Sequence, residues 1–170
     1  MTSQSPTAPL LYTAEQRRRR DATPWTLVQG LLAPAQFAAF LVSLALVLRT
    51  LLTGEGLAAA SVSVVVKTLF LYAIMITGAI WEKRVFGVYL FAEPFYWEDV
   101  FSMLVLALHT AYLVVLSGGL LGPRAQLLLA LAAFATYVVN ATQFILKLRA
   151  ARLGEQQRSL APSLAEGVAE

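Results

Sequence analysis

The chain has 170 residues, 58% of them hydrophobic, and a formal net charge of only +3, with a mean hydropathy of +0.68. It has no cysteine, which excludes disulfides, cysteine-ligated zinc, iron–sulfur clusters and thiol catalysis, and its single histidine, His109, excludes a multi-histidine metal site. Nucleic-acid binding finds no support in so small a charge, outside one arginine run.

Residues 1–22 read as a polar tail holding Pro6, Pro9 and the run Arg17-Arg18-Arg19-Arg20. No secretory signal precedes the first apolar run, which is expected to stay as a membrane helix. Thr23-Pro24-Trp25 reads as a helix start, with Thr23 as cap, Pro24 in the first turn and Trp25 at the membrane interface. Four apolar stretches follow, each near the ~20 residues needed to cross a bilayer. Their expected spans are 24–52, 57–81, 98–116 and 125–148, and Pro34 should kink the first. Thr53-Gly54-Glu55-Gly56 and the segment from Ser117 to Pro123 are tight turns. The expected fold is all-α, an integral membrane four-helix bundle over 23–153, with a flexible polar tail at 154–170. Lysine and arginine concentrate before the first span, in the middle connector and after the last span, which predicts cytoplasmic termini and a cytoplasmic connector 82–97.

That connector is unusual. A few small residues would join two helices, yet this one carries Trp81-Glu82-Lys83-Arg84 and Glu93-Pro94-Phe95-Tyr96-Trp97-Glu98-Asp99. Four acids (Glu82, Glu93, Glu98, Asp99) crowd a membrane face that is itself negative. Within the spans, polar residues fall on single helix faces: Gln29, Gln36 and Ser43; Glu98, Ser102, His109 and Tyr112; Thr136, Asn140, Gln143 and Lys147. Ionisable or amide groups at such depth cost a few kcal/mol and mark functional sites. They also serve as hydrogen-bond glue between helices, and the aromatics also suit an interfacial belt. Lys67, deeper on the second span, is either paired structurally or snorkels. Carboxylates, flat rings and one imidazole together suit a large, apolar, ring-shaped ligand.

Several of these stretches resemble a known family. They are Tyr12-Thr13-Ala14-Glu15 through Gly30, Gly78-Ala79-Ile80-Trp81-Glu82-Lys83, Phe95 through Met103 with His109-Thr110-Ala111-Tyr112, and Tyr137 through Phe144. They are similar to the 3-vinyl (older name 2-vinyl) bacteriochlorophyllide hydratases of phototrophic bacteria, over roughly Leu11 to Leu153. The resemblance implies a hydro-lyase of bacteriochlorophyll a synthesis, in the bacterial inner (photosynthetic or intracytoplasmic) membrane. Such an enzyme adds water to the C3 vinyl group of chlorophyllide a, or of a bacteriochlorin counterpart, giving a 1-hydroxyethyl group.

The chemistry then suggests roles. Protonating the terminal vinyl carbon leaves a cation spread over the macrocycle, and water adds at the inner carbon. A general acid, a group that orients water and an anionic surrounding are needed. Glu98 is the expected acid, assisted by Asp99 or Glu82. His109 is a candidate ligand for the magnesium that the substrate carries, or else a water holder through Asn140. Gln36, Asn140 and His109 are placed at similar depth, with Gln143 nearby. Trp81, Phe95, Tyr96 and Trp97 are expected to stack on the macrocycle, and Lys83 and Arg84 to bind its propionate. No cofactor of the protein's own is expected. Expected partners are the pigment, membrane lipid, a second copy sharing the pocket and neighbouring pigment-synthesis enzymes. The rival reading is a non-enzymatic tetrapyrrole-binding or assembly protein, which has no need of clustered carboxylates. A minimal proton-coupled transporter using Lys67 is a third.

Overall fold

In the computed structural model, which describes residues 11–166, the chain forms five α-helices. They are α1 (Ala14–Ala22), α2 (Pro24–Thr53), α3 (Leu57–Phe86), α4 (Tyr96–Gly118) and α5 (Pro123–Glu166). No strand occurs among the described residues. A 3₁₀ turn, Glu93–Phe95, leads into α4. Pro6 and Pro9 of the polar tail lie outside the described residues.

Among the described residues, four helices are long and apolar enough to cross a membrane: α2, α3, α4 with its 3₁₀ turn, and α5 up to Gly154. The chain is a multi-pass membrane protein. Its burial pattern inverts that of a soluble bundle. Leu27, Leu31, Leu52, Leu69, Ile76 and Ile145 point outward, while Ser43, Thr50, Lys67, Thr68, Ser102, His109 and Gln126 are buried. Leucine is at home in lipid, whereas polar groups there must find partners within the protein.

The helices form a closed ring in which α2 packs on α3, α3 on α4, α4 on α5 and α5 on α2. Phe40, Val47, Val64, Leu71, Val105, Tyr112, Phe134 and Tyr137 fill its axis. Phe40 meets Phe134 edge-on, with ring centres 5.5 Å apart. Side chains also join neighbours across the ring. Gln29 Nε2 donates to Thr77 Oγ1 at 2.7 Å, and the Ser43 and Ser63 hydroxyls are 3.0 Å apart.

Several boundaries differ from the sequence reading. Residues 14–22 are helical rather than tail: Thr13 caps α1 in a reciprocal capping box with Gln16. Thr23 holds the N-cap position of α2, but its hydroxyl makes no cap bond. α2 carries Pro34 without interruption, and the missing N–H leaves the Gly30 carbonyl without its helical partner. α3 runs one turn beyond Trp81, until Gly87 ends it in the left-handed conformation. α4 starts at Tyr96, and α5 continues past Arg152 to Glu166. At ~1.5 Å per residue, α3 is roughly 45 Å long and exceeds the ~30 Å hydrocarbon core, so its last turn reaches the headgroup zone.

One end of the ring is closed by a second apolar cluster. Tyr12, Val85 and Phe95 are buried there, with Leu11, Trp81, Phe86 and Phe144 packed around them. The Trp81 indole N–H donates to Thr26 Oγ1 at 2.9 Å, and Thr26 donates onward to the Arg20 carbonyl at 2.6 Å. These contacts pin α1 and the start of α2 to the end of α3. The termini of four helices and the long connector therefore meet at one place.

Candidate active site

The connector's acids turn inward. Glu82, Glu98 and Asp99 are 6%, 6% and 4% exposed, whereas Glu93 is exposed. Glu98 and Asp99 are consecutive on a helix and so face different neighbours, yet both are buried because α4 is flanked on both sides. Asp99 faces α3, where its carboxyl neighbours that of Glu82. Glu98 faces α5, where its Oε2 accepts from Lys147 Nζ.

These two arrangements differ chemically. Two buried carboxyl groups side by side repel when both are ionised, an arrangement that favours keeping a proton on one of them. Glu98 is instead a carboxylate neutralised by an ammonium. Lys147 also donates to the Pro94 carbonyl and lies 5.2 Å from the centre of the Phe95 ring, which ties the 3₁₀ turn to α5.

The carboxyl pair also holds the connector. Asp99 Oδ2 accepts from the Phe91 backbone N–H at 2.7 Å, and Glu82 Oε2 accepts from the next amide, Ala92 N–H, at 3.2 Å. Phe91 has φ +60°, the left-handed region, and is the one non-glycine residue there among those described. That conformation costs of the order of 1–3 kcal/mol outside glycine and persists where the surroundings fix it. Here the two acids supply the restraint.

The expected aromatic platform divides into two sets. Trp81 and Phe95 belong to the interior cluster, with ring centres 5.8 Å apart, so they shape the site from behind. Tyr96 and Trp97 are exposed and 5.5 Å apart. Phe91 stands 5.8 Å from Tyr96, and Tyr89, on the same connector, is also exposed. An open aromatic surface thus borders the acid pair. Lys83 donates to the Gly87 carbonyl at 2.7 Å and lies 5.2 Å from the Tyr89 ring centre. Arg84 is exposed next to it.

Several deeper groups are paired with neighbours on the bundle's own helices. His109 is fully buried, with Nδ1 2.8 Å from the Val105 carbonyl and Nε2 2.8 Å from Lys67 Nζ. With Nδ1–H donating to the carbonyl, the Nε2 lone pair accepts from Lys67. Both ring nitrogens are therefore engaged, and no lone pair faces outward to a magnesium ion. Lys67 lies 4.0 Å from the centre of the Tyr137 ring and pairs with no carboxylate among the described residues. Tyr112, Lys67, Phe134 and His109 fill this level of the bundle, and a macrocycle cannot lodge there without moving them. Gln36 is buried on α2. Asn140 donates through Nδ2 to Ser102 Oγ at 2.8 Å. Among the described residues, no group of three or more His, Asp or Glu side chains could hold a metal ion.

Three site features escaped the sequence reading. Lys147 shares the polar face of Asn140 and Gln143, so its reach to Glu98 was open to inference from spacing. The Lys67–His109 contact joins residues 42 apart in sequence. Phe91 carried no signal, because a left-handed phenylalanine has no sequence signature.

The fold and site together define a multi-pass helical membrane protein with a buried pair of neighbouring carboxyl groups at one end of the bundle, bordered by exposed aromatic rings. Comparison with known sequences makes that class specific. The family model for 2-vinyl bacteriochlorophyllide hydratase matches residues 12–150, and the chain belongs to this family of hydratases. The 2-vinyl bacteriochlorophyllide hydratase of Rhodobacter capsulatus is 64% identical over 150 residues, 88% of this chain and 87% of the relative. That of Cereibacter sphaeroides is 64% identical over 156 residues, 90% of this chain and 96% of the relative. No solved structure matches.

Proposed function

We propose that this protein hydrates the vinyl group of chlorophyllide a or a bacteriochlorophyllide, giving the 1-hydroxyethyl derivative on the route to bacteriochlorophyll a. The observation that supports the mechanism is the burial of Glu82 and Asp99 as neighbouring carboxyl groups, and in this reading the pair shares one proton. The macrocycle docks on the open aromatic surface of Phe91, Tyr96 and Trp97, with its vinyl arm directed at the pair. The pair gives its proton to the terminal vinyl carbon. The anion left behind, with the Glu98 carboxylate nearby, stabilises the cation on the inner carbon. Water adds there and returns a proton to the pair, so the acid is regenerated.

This assigns the acid to Glu82 and Asp99 rather than to Glu98. A carboxylate held by Lys147 has no proton to give, and its part is electrostatic and positional. Likewise His109 is a structural partner of Lys67 in this reading, and the substrate's magnesium takes no ligand from it. Lys83 and Arg84, at the same end, are the cations for the propionate. The protein needs no cofactor of its own.

The site lies on the cytoplasmic face of the bacterial inner or intracytoplasmic membrane, by the weight of lysine and arginine at this end. With the bundle interior filled, two copies enclosing the pigment between them complete the proposal, and neighbouring pigment-synthesis enzymes supply and remove it. The test is incubation of membranes carrying the protein with chlorophyllide a, followed by chromatography and absorption. A blue-shifted hydroxyethyl product supports hydration. Tight pigment binding with no product, in preparations free of the other pathway enzymes, would establish the rival carrier reading instead.

A further inference from the structure

We infer that the amide oxygens of Asn140 and Gln143 form a binding site for the water molecule that the reaction consumes. The inference rests on the hydratase reading and deepens it.

Asn140 is 8% exposed, and its Nδ2 is committed to Ser102 Oγ. Its Oδ1 is buried and has no hydrogen-bond partner, and the same is true of Gln143 Oε1. Buried polar atoms are satisfied in the great majority of cases, and each exception calls for a cause. Here two exceptions fall three residues apart on one face of α5. Both are acceptors. A molecule that satisfies two neighbouring acceptors must present two donor hydrogens, and water is the smallest that does. The Ser102 hydroxyl, already at Asn140, offers a third polar contact, within the two to four that a buried water makes.

The place suits the chemistry. Ser102 follows Asp99 by three residues and Glu98 by four, so it lies on the same side of α4 about one turn below them, roughly 5 Å. On α5, the turn above Gln143 carries Lys147, which holds Glu98. Water gripped by its hydrogens keeps its oxygen lone pairs directed away from the two amides. That leaves an oxygen free to form the C–O bond to the inner vinyl carbon. As that bond forms, one O–H turns from its amide to the carboxylate pair and breaks, and its proton replaces the one the pair has just given to the terminal carbon. One water is consumed per alkene, and neither amide changes protonation state.

Two measurements on the full-length protein test this. The first is a substrate-free structure at a resolution that shows ordered solvent, and density bridging Asn140 Oδ1 and Gln143 Oε1 is expected. Two dry carbonyl oxygens overturn the inference. The second compares Gln143→Met, close in shape but without an acceptor, with the unaltered protein. Loss of an aligned water lowers kcat about 10²-fold, while KM for the pigment and pigment affinity stay unchanged. Unchanged kcat with a raised thermal midpoint overturns the inference, because it marks a dry amide relieved of its unmet bond. Wild-type turnover in the same preparation checks the hydratase reading separately. If it is absent, that reading fails and the solvent density alone decides the water site.

Discussion

Glu82→Gln separates chemistry from scaffolding at the acid pair. The carboxyl of Glu82 does two things: it accepts the Ala92 N–H at 3.2 Å and, in the proposed mechanism, shares a proton with its neighbour Asp99. A glutamine in the same rotamer keeps an oxygen for Ala92 and turns its NH₂ toward Asp99, so both contacts survive. What disappears is the transferable proton. Positioned general acids contribute about 10²–10⁴-fold, equivalent to about 3–5 kcal/mol of barrier, and kcat should fall by that factor. Pigment affinity and thermal midpoint should hold. Glu82→Leu is the informative contrast, since it also strands the buried Ala92 N–H, at about 1–3 kcal/mol, and should lower stability as well. The assay is hydroxyethyl product formation from chlorophyllide a by purified protein in detergent or nanodiscs, with pigment binding followed by absorption. Full turnover in both Glu82→Gln and Asp99→Asn would refute the reasoning, because neither carboxyl would then be the proton source.

Other substitutions follow from the same geometry. Lys147→Met leaves Glu98 as an unpaired buried carboxylate and should destabilise the protein by up to about 3–5 kcal/mol, reduced because the Lys147 side chain is 28% exposed. The double variant Lys147→Met/Glu98→Gln should recover much of the loss, as read by chemical denaturation in micelles. His109→Leu strands the Lys67 ammonium at 0% exposure and should be far more harmful than Lys67→Met/His109→Leu. Pigment affinity in the double variant should match the wild type, and a lost magnesium-sensitive absorption band would instead restore His109 as a ligand. Phe91→Gly relieves a left-handed backbone at φ +60° while removing an exposed ring, so stability should be kept or raised and the KM for pigment should rise.

The architecture was open to reading because a bilayer restricts the choices so severely. Four apolar runs of the right length leave little besides a helical bundle, and the polar faces of α2, α4 and α5 identified the sides that turn inward. Glu82, Glu98 and Asp99 stood out as acids in a place where topology asks for bases. Their partners were another matter. Whether a carboxyl meets Lys147 or a second carboxyl depends on rotation and vertical register between helices, which local periodicity does not encode. The contact between Glu98 and Lys147 is of that kind. The same holds for Trp81 and Phe95: composition marks them as aromatic and near the surface, and only packing against Tyr12, Phe86 and Phe144 reveals them as interior.

The grip of the two acids on consecutive amides gives the connector a chemical sense of the catalytic cycle. An ionised carboxylate accepts a hydrogen bond more strongly than a neutral acid. In the proposed cycle, spending the proton on the alkene therefore tightens the hold on Phe91 and Ala92 at the moment when the reactive cation must be shielded. Regaining it slackens that hold as the alcohol departs. On the proposed mechanism, the segment that carries the aromatic surface would be held and eased in step with the bond changes, by one travelling hydrogen.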